Sequence, residues 1–388
     1  MQHTILGYER KNGTVGIRNY VAVVSVMDSM NPMAAKIAES VSGTVLITDL
    51  FGRRMIGTNY HVRQKAFIGM CTNPNVAGVL LLGLHEPAVR NLLEPLATLG
   101  VDVEGIAYQD EAGIAAVVAA GIRIATAMVR RASVERPVPV PVSRLRIGVE
   151  CGGSDYSSGI AGNPALGEAS NMLMDAGGTV VLSETAEIMG AEHILADNAA
   201  NAEAARRIHE AIAEIEEMAR IGGVPDIRKA NPSADNIRGG LSTLAEKALG
   251  AVKKAGSRPL QGVLDYCDPL PVDASGFYFM STASPACESM TGLAAGGVQL
   301  IVFNTGLGQP TANPVTPTIK MSGNPHTVAR CADDLDIEVS GILDGRETLA
   351  EAGKRVFDEI LAVARGKVTV CEVLRAGQSC ISVAGASM

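Results

Sequence analysis

The chain has 388 residues, 47% of them hydrophobic and 19% charged, enough apolar material for a large core and for two domains of roughly 100 to 200 residues each. A net charge of -8 and a pI near 5.4 offer no basic stripe to neutralise phosphates, which excludes nucleic acid and anionic membranes as expected partners and leaves small metabolites. The sequence has no run of eighteen apolar residues and no basic-then-apolar start, so a cytoplasmic protein is expected.

In chain order, apolar and β-branched runs at 20–27, 44–48, 76–84 and 101–108 predict strands buried on both faces, with helical patterns at 32–41, 85–99 and 111–129 between them. A kink is expected at Pro95. Strands alternating with helices imply a doubly wound, Rossmann-like parallel sheet. The run 132–142, with Pro137, Pro139 and Pro141, favours an extended, polyproline-like backbone. It reads as a linker over 132–144 between an N-terminal α/β domain at 1–131 and a C-terminal catalytic domain at 145–388. The second part alternates again, with strands at 146–150, 179–183, 260–265 and 298–304 and helices at 164–176, 187–221, 243–255 and 348–366. The expected fold class is α/β, two domains, each a mostly parallel sheet flanked by helices. Seven cysteines without a Cys-x-x-Cys pair fit reduced thiols, most of them small core residues.

The densest chemistry lies between Cys151 and His193. A short apolar strand ends in Cys151-Gly152-Gly153-Ser154-Asp155, too glycine-rich and polar for core. The next strand ends at Ser183 and is followed by Glu184, Glu187, Glu192 and His193. Side chains at the ends of strands in one parallel sheet meet at one edge, where open α/β sheets hold ligands. Cys151, Glu184, Glu187, Glu192 and His193 make a donor set compatible with Fe²⁺, Mn²⁺ or Zn²⁺. Beside Ser154 and Asp155, Gly152 and Gly153 leave backbone N–H groups free to converge on an oxyanion. The competing readings are ordinary: Glu184 and Glu187 charging a helix N-terminus, His193 as a hydrogen-bonded core histidine, Cys151 as a small hydrophobe, and the glycine pair as a plain turn.

Further on, 231–243 opens a helix carrying Glu246 and Lys247, which puts Ser242 and Thr243 where a carboxylate substrate is favoured; the alternative is a loop closed by a Ser/Thr cap. Lys247 is a candidate base or carboxylate partner, although exposed helix lysines are commoner. Thr305 and Gly306 open another substrate loop, with Lys320 as a charge partner. In the first domain Arg18, Asn19, Asn73 and His85 fall at strand ends facing a cleft, with an interdomain salt bridge as the alternative for Arg18. No Gly-x-Gly-x-x-Gly opens a helix after the first strand, so the dinucleotide fingerprint is absent.

Six separated motifs carry a resemblance: the run from Gly7 to Tyr20, Asn73-Pro74-Asn75-Val76, the Cys151 turn with Ser158-Gly159-Ile160 and Asn163-Pro164-Ala165, Gly190-Ala191-Glu192-His193, the run from Gly239 to Gly250, and Pro317-Thr318-Ile319-Lys320. Together they are similar to the large region of the altronate and galactarate dehydratases, which also forms the larger subunit of sulfolactate sulfo-lyase. The resemblance implies a metal-dependent lyase, with Fe²⁺ as cofactor and Mn²⁺ as the alternative, that removes water from a hydroxylated carboxylic acid such as a sugar acid. Sulfite release from a sulfolactate-like acid is the second expectation, and a non-catalytic metabolite-binding subunit the third. His193, Lys247, Asp155 and Ser154 are the catalytic candidates. Cys151, Glu184, Glu187, Glu192 and His193 are the expected metal ligands. Arg18, Asn19, Gly152, Gly153, Ser242, Thr243, Thr305, Gly306 and Lys320 are the expected substrate contacts. Members often carry a small N-terminal SAF-type domain that is not found ahead of Gly7 here, so a separate small SAF subunit is expected as partner, together with a homo-oligomeric state.

The chain also departs from the family pattern. Met27-Asp28-Ser29 stands where a cysteine is usual, Asp49-Leu50-Phe51-Gly52-Arg53-Arg54-Met55 where a turn usually holds His and Cys, and Gly83-Leu84-His85-Glu86 where Gly-Leu-Gly-Cys-Glu is usual. Any role of those cysteines is lost here or reassigned to Asp28, His85 or Glu86. Leu307 replaces the arginine of a Thr-Gly-Arg-Gly motif, removing a bidentate clamp for carboxylate or sulfonate and pointing to a different substrate.

Overall fold

The computed structural model describes residues 3–51 and 56–382. Strands β1 (Thr4–Glu9), β2 (Val15–Gly16) and β3 (Tyr20–Ser25) lead into α1 (Asn31–Ser40), β4 (Thr44–Ile47), α2 (Gly57–Cys71), β5 (Val76–Gly83), α3 (Glu86–Thr98), β6 (Asp102–Ala107) and α4 (Ile114–Ala132). Strands β3 to β6 form a sheet of order β4-β3-β5-β6 in which every pairing is parallel. Its apolar runs lack a polar face because helices cover both sides. Val21, Val23, Leu80 and Leu82 pack with Ile37, Val117 and Met128. The alternate residues Ala22, Val24, Val79 and Leu81 pack with Phe67, Met70 and Leu92. Helix α3 continues through Pro95.

The proline run is extended, as its composition requires, and it is also a strand. In β7 (Val138–Pro141) the residues pair antiparallel with β1, from Thr4 opposite Pro141 to Gly7 opposite Val138. Because N–H groups two apart point the same way, Pro139 and Pro141 direct their missing donors to the open edge, the place where a strand tolerates proline. The small sheet has the order β2-β1-β7.

The remainder runs β8 (Arg146–Cys151), α5 (Asn163–Asp175), β9 (Thr179–Leu182), α6 (Glu192–Asp197), α7 (Ala202–Ile221), α8 (Ala234–Arg238), α9 (Leu244–Val252), β10 (Leu260–Leu264), β11 (Gly276–Met280), α10 (Ala286–Ala295), β12 (Leu300–Asn304), β13 (Thr318–Ser322), α11 (Pro325–Arg330), β14 (Ile337–Glu338), α12 (Leu349–Ala364) and α13 (Val370–Val373). The single helix expected over 187–221 is two helices, because Asn201 starts α7 afresh by accepting the Ala204 N–H at 2.8 Å. Seven parallel strands form one sheet of order β10-β11-β9-β8-β12-β13-β14. One face packs with α5, α9 and α12 through Leu166, Ala248 and Val356, and the other with α10 through Met290 and Leu293. The chain is thus α/β with two parallel, helix-flanked sheets.

Strand order locates the site. From β8 the chain moves to β9 on one side, and from β12 it moves to β13 on the other. The neighbours β8 and β12 therefore flank the reversal of winding, and the loops leaving their carboxyl ends diverge around a crevice. Among the described residues no helix is long and apolar enough to cross a membrane.

Candidate active site

The crevice has a volume of about 560 Å³ and is walled by the Cys151–Ser154 turn, Glu184, Glu187, Asn231, Asn236, Lys247 and the loop of Leu307, Gly308 and Gln309. Its two floor loops interlock so closely that only glycine fits at the crossings. A Cβ on Gly152 would lie 2.0 Å from Gln309 Oε1 and 2.3 Å from Phe303, and one on Gly306 would lie 2.2 Å from the Asp155 carboxylate. Gly153 has φ +60°, a left-handed turn that suits glycine. The N–H groups of Gly153 and Ser154 have no acceptor among the described residues, and both residues line the crevice.

Behind the turn lies a buried charge cluster. Glu184 adopts φ 69°, ψ 70°, a left-handed conformation costly for a residue with a side chain. It is held there by Thr282, whose Oγ1 accepts the Glu184 N–H at 2.8 Å. From that position Glu184 Oε2 accepts the Cys151 N–H at 2.9 Å and the Lys254 ammonium at 2.8 Å, and Lys254 also donates to Cys151 Sγ at 2.8 Å. Burial alone would lower Lys254, but the Cys151 and Glu184 partners outweigh it and raise it. Burial, then the Glu184 charge, pushes the Cys151 thiol up to about 12 despite Lys254. Glu150, one residue earlier on β8, accepts hydroxyl hydrogens from Ser183 at 2.7 Å and Ser289 at 2.5 Å. Burial and the neighbouring Glu184 push its carboxyl well above the usual carboxylate range.

Lys247 presents a second charge to the crevice. Its ammonium donates to Asn231 Oδ1 and Asn236 Oδ1, both at 2.8 Å, and lies 2.7 Å from Glu187 Oε2. The two asparagines are themselves anchored, Asn231 Nδ2 on Ala186 O and Asn236 Nδ2 on Ser154 O, each at 2.9 Å. Burial raises the Glu187 carboxyl, Lys247 pulls it back, and Glu184 adds to the rise; the net direction is up.

Several residues expected in the site stand elsewhere. His193 is exposed on α6 and outside the crevice wall. Glu192 faces Arg228 at 3.0 Å and accepts the Gly190 N–H. Asp155 is fully buried beneath the turn, accepting from Ser157 Oγ at 2.6 Å, Ser158 N at 3.0 Å and Asn324 Nδ2. Ser242 and Thr243 are exposed and close the first turn of α9 through Glu246. Thr305 Oγ1 accepts the Gly308 and Gln309 N–H groups at 2.9 Å, shaping the loop from behind. Lys320, buried and lowered by that burial to about 8, holds the same loop by donating to Gln309 O at 2.6 Å while resting 3.8 Å from the centre of the Phe303 ring. Arg18 is the interdomain salt bridge, with Glu372 at 2.6 and 3.0 Å, and Asn19 bonds Ala132 O. Asn73 bonds Ala294 O and Val298 O. His85 caps α3, Asp28 is exposed, and Glu86 pairs with Arg90 on the surface. Asp49 is buried against Arg63, and 52–55 lie outside the described residues.

The expected metal set can be tested on its donors. Cys151, Glu184 and Glu187 wall the crevice, but Glu192 and His193 do not join them. Among the described residues no three His, Cys, Asp or Glu side chains converge as a metal site. Cys151 and Glu184 moreover share the Lys254 ammonium. That five-residue ligand set does not fit a divalent ion.

Lys254 and Glu150 carry no role in the sequence, whereas Asn231, Asn236 and Gln309 fall within stretches expected to meet the substrate. Two faint signals were available. Lys254 lies seven residues after Lys247, two helical turns on the same face, and Glu150 sits inside an otherwise apolar strand, where a carboxylate must find partners.

Residues 7–133 match the family described as D-galactarate dehydratase/altronate hydrolase, second domain, and residues 142–387 match D-galactarate/altronate dehydratase, C-terminal. The chain is 36% identical to the (2R)-sulfolactate sulfo-lyase subunit beta of Chromohalobacter salexigens over 96% of this chain and 95% of that one. It is 31% identical to the altronate dehydratase of Bacillus subtilis over 83% of this chain, and 34% identical to the galactarate dehydratase (L-threo-forming) of Escherichia coli over 76%. It spans 66% and 57% of those two enzymes' lengths. With its parallel sheets, its switch-point crevice and both family regions in sequence, the chain belongs to the D-galactarate/altronate dehydratase family of lyases.

Proposed function

We propose that this lyase eliminates water from a hydroxylated carboxylic acid, such as a sugar acid, in the crevice between β8 and β12. The observation that carries the reading is the buried Glu187–Lys247 pair, at 2.7 Å, lining the same crevice as the Gly153–Ser154 turn, whose N–H groups have no acceptor among the described residues. Elimination next to a carboxylate needs a base for the proton on the adjacent carbon, positive charge for the enolate that follows, and a proton for the departing oxygen. Glu187 serves as the base. Lys247, oriented by Asn231 and Asn236, and the turn's N–H groups carry the substrate carboxylate and its developing negative charge. The proton that Glu187 gains leaves with the hydroxyl as water, and the enol relaxes to a 2-oxo acid. Glu184 and Lys254 fix the wall behind. Fe²⁺, or Mn²⁺, is the cofactor that the family resemblance proposes.

Release of sulfite is a second reading, favoured by the near end-to-end match to a sulfo-lyase subunit. Its chemistry begins with the same proton and ends in the same enol, with sulfite in place of hydroxide. That relative's designation as subunit beta supports a partner subunit, which we propose to be small and of the SAF type; a homo-oligomer and a cytoplasmic location belong to the same proposal. The test is to incubate the chain, alone and with a small SAF-domain subunit, with aldonates, aldarates and 3-sulfolactate, assaying 2-oxo acid and sulfite together. A 2-oxo acid without sulfite supports the dehydratase, equal amounts of both support the sulfo-lyase, and neither product under any condition overturns the lyase assignment.

A further inference from the structure

We propose that Lys254 is the resident cation behind the crevice wall, a positioning residue that occupies the place where a divalent ion bridging Cys151 and Glu184 would sit. Its ammonium is 2.8 Å from Cys151 Sγ and 2.8 Å from Glu184 Oε2, and its side chain is 0% exposed. A metal ion taking both donors would have to displace the ammonium within a wall where neither it nor Glu184 is exposed to solvent by more than 2%. The carboxylate oxygen is engaged a second time, by the Cys151 backbone N–H at 2.9 Å. Cys151 N–H, Glu184, Lys254 and Cys151 Sγ therefore close a ring in which each charge already has its counterpart.

The stem of Lys254 is fixed as firmly as its tip. Ser170 Oγ donates to Lys254 O at 2.8 Å, tying it to α5. Two residues on, Gly256 at φ +75° brings the chain so close that a Cβ would lie 2.4 Å from Asn171 Oδ1 and 2.8 Å from Gly167 O. The backbone cannot slide to withdraw the ammonium, and withdrawing it would leave the Glu184 carboxylate as an unpaired buried charge. It follows that any divalent ion the reaction uses is held by donors other than the Cys151–Glu184 pair.

The inference concerns the crevice proposed for catalysis, but its test is read without turnover, so it can fail while the lyase reading stands, and the reverse. The full chain, reduced and stripped with chelator, is titrated with Co²⁺ alone, and the thiolate-to-cobalt charge-transfer absorbance is followed in wild type, Cys151→Ser, Lys254→Met and the double variant. The expected result is identical traces for wild type and Cys151→Ser, with a band approaching one equivalent appearing in Lys254→Met and lost in the double variant. A stoichiometric band in wild type that Cys151→Ser abolishes would overturn the proposal. Should Lys254→Met fail to fold by circular dichroism, the comparison of wild type with Cys151→Ser decides alone.

Discussion

At the scale of single residues the proposed chemistry rests on one close ion pair in the crevice, Glu187 with Lys247. Among the described residues Glu187 is in direct contact with Lys247, and Lys247 reaches one carboxylate and two amides. Glu187→Gln keeps the shape and removes the base, and Lys247→Met keeps the stem and removes the charge. Each is expected to cut turnover by about 10²- to 10⁴-fold, the usual range for a positioned proton-transfer group, with the circular dichroism spectrum unchanged. The pH profile carries a sign. Burial, only partly offset by Lys247, raises the Glu187 carboxyl, so the acid limb of kcat should lie above the ordinary glutamate value of about 4.3. That limb should be missing from whatever activity Glu187→Gln retains; an unchanged limb would remove Glu187 from the mechanism. Gly152→Ala tests the interlock of the floor loops. With Gln309 Oε1 at 2.0 Å and Phe303 at 2.3 Å from the new methyl, overpacking is expected to cost about 1 to 3 kcal/mol and to lower Tm and turnover together.

At the scale of elements, what was legible in the sequence follows from how local each signal is. The strands β3, β5, β8 and β12 could be read because burial on both faces leaves unbroken apolar runs. Helix α10 could not: Ala-Cys-Glu-Ser-Met-Thr-Gly-Leu-Ala-Ala is buried nearly all round and so has no amphipathic stripe. The Cys151 turn, Glu184, Glu187 and Lys247 were visible as polar residues at strand ends and a helix start. Lys254 was hidden in a Lys253-Lys254 pair that looks like a solvated helix end. Asp155 and Arg18 were misleading for another reason, since their partners Asn324 and Glu372 lie 169 and 354 residues away. Arg18 joins the start of β3 to α13, with Tyr20 donating to the same Glu372 carboxylate at 2.5 Å. Arg18→Met should therefore cost about 3 to 5 kcal/mol, the typical result of removing one partner of a buried ion pair. Burial alone would raise Glu372, but the Arg18 and Tyr20 hydrogen bonds lower it on balance. A carboxyl lowered by folding adds stability above its unfolded value and loses it as pH falls through the folded one. The wild-type advantage over Arg18→Met should accordingly shrink in denaturant titrations below about pH 4.3, and a gap constant down to pH 3 would contradict the pairing.

At the scale of the whole molecule the two sheets share a core. Phe67 and Met70 of α2 belong to the same buried cluster as Ala294, Ala295 and Val315, and a Cβ on Gly69 would lie 2.4 Å from Ala295 O, so α2 and α10 touch backbone to backbone. Across that seam Asn75 donates to Gln299 O at 2.8 Å and Val315 O at 2.9 Å while accepting the Ile17 N–H at 2.9 Å, all buried. Asn73 reaches Ala294 O and Val298 O beside it. A crevice built at the end of β8 and β12 gains from this arrangement, because Gln299 and Val315 flank β12 and a shift of either would move the Leu307–Gln309 loop. Two domains joined only by a tether would melt separately, whereas a shared core with buried polar stitches couples them. Calorimetry of the wild type should then show one transition with matching calorimetric and van't Hoff enthalpies. Asn75→Ala leaves two carbonyls and one N–H unsatisfied, at about 1 to 3 kcal/mol for each buried group. The expected outcome is a lower Tm with activity and both halves lost together, or at most a split whose first step abolishes turnover. Two wild-type transitions, with the crevice still binding substrate after the first, would mean that the seam does not support the site.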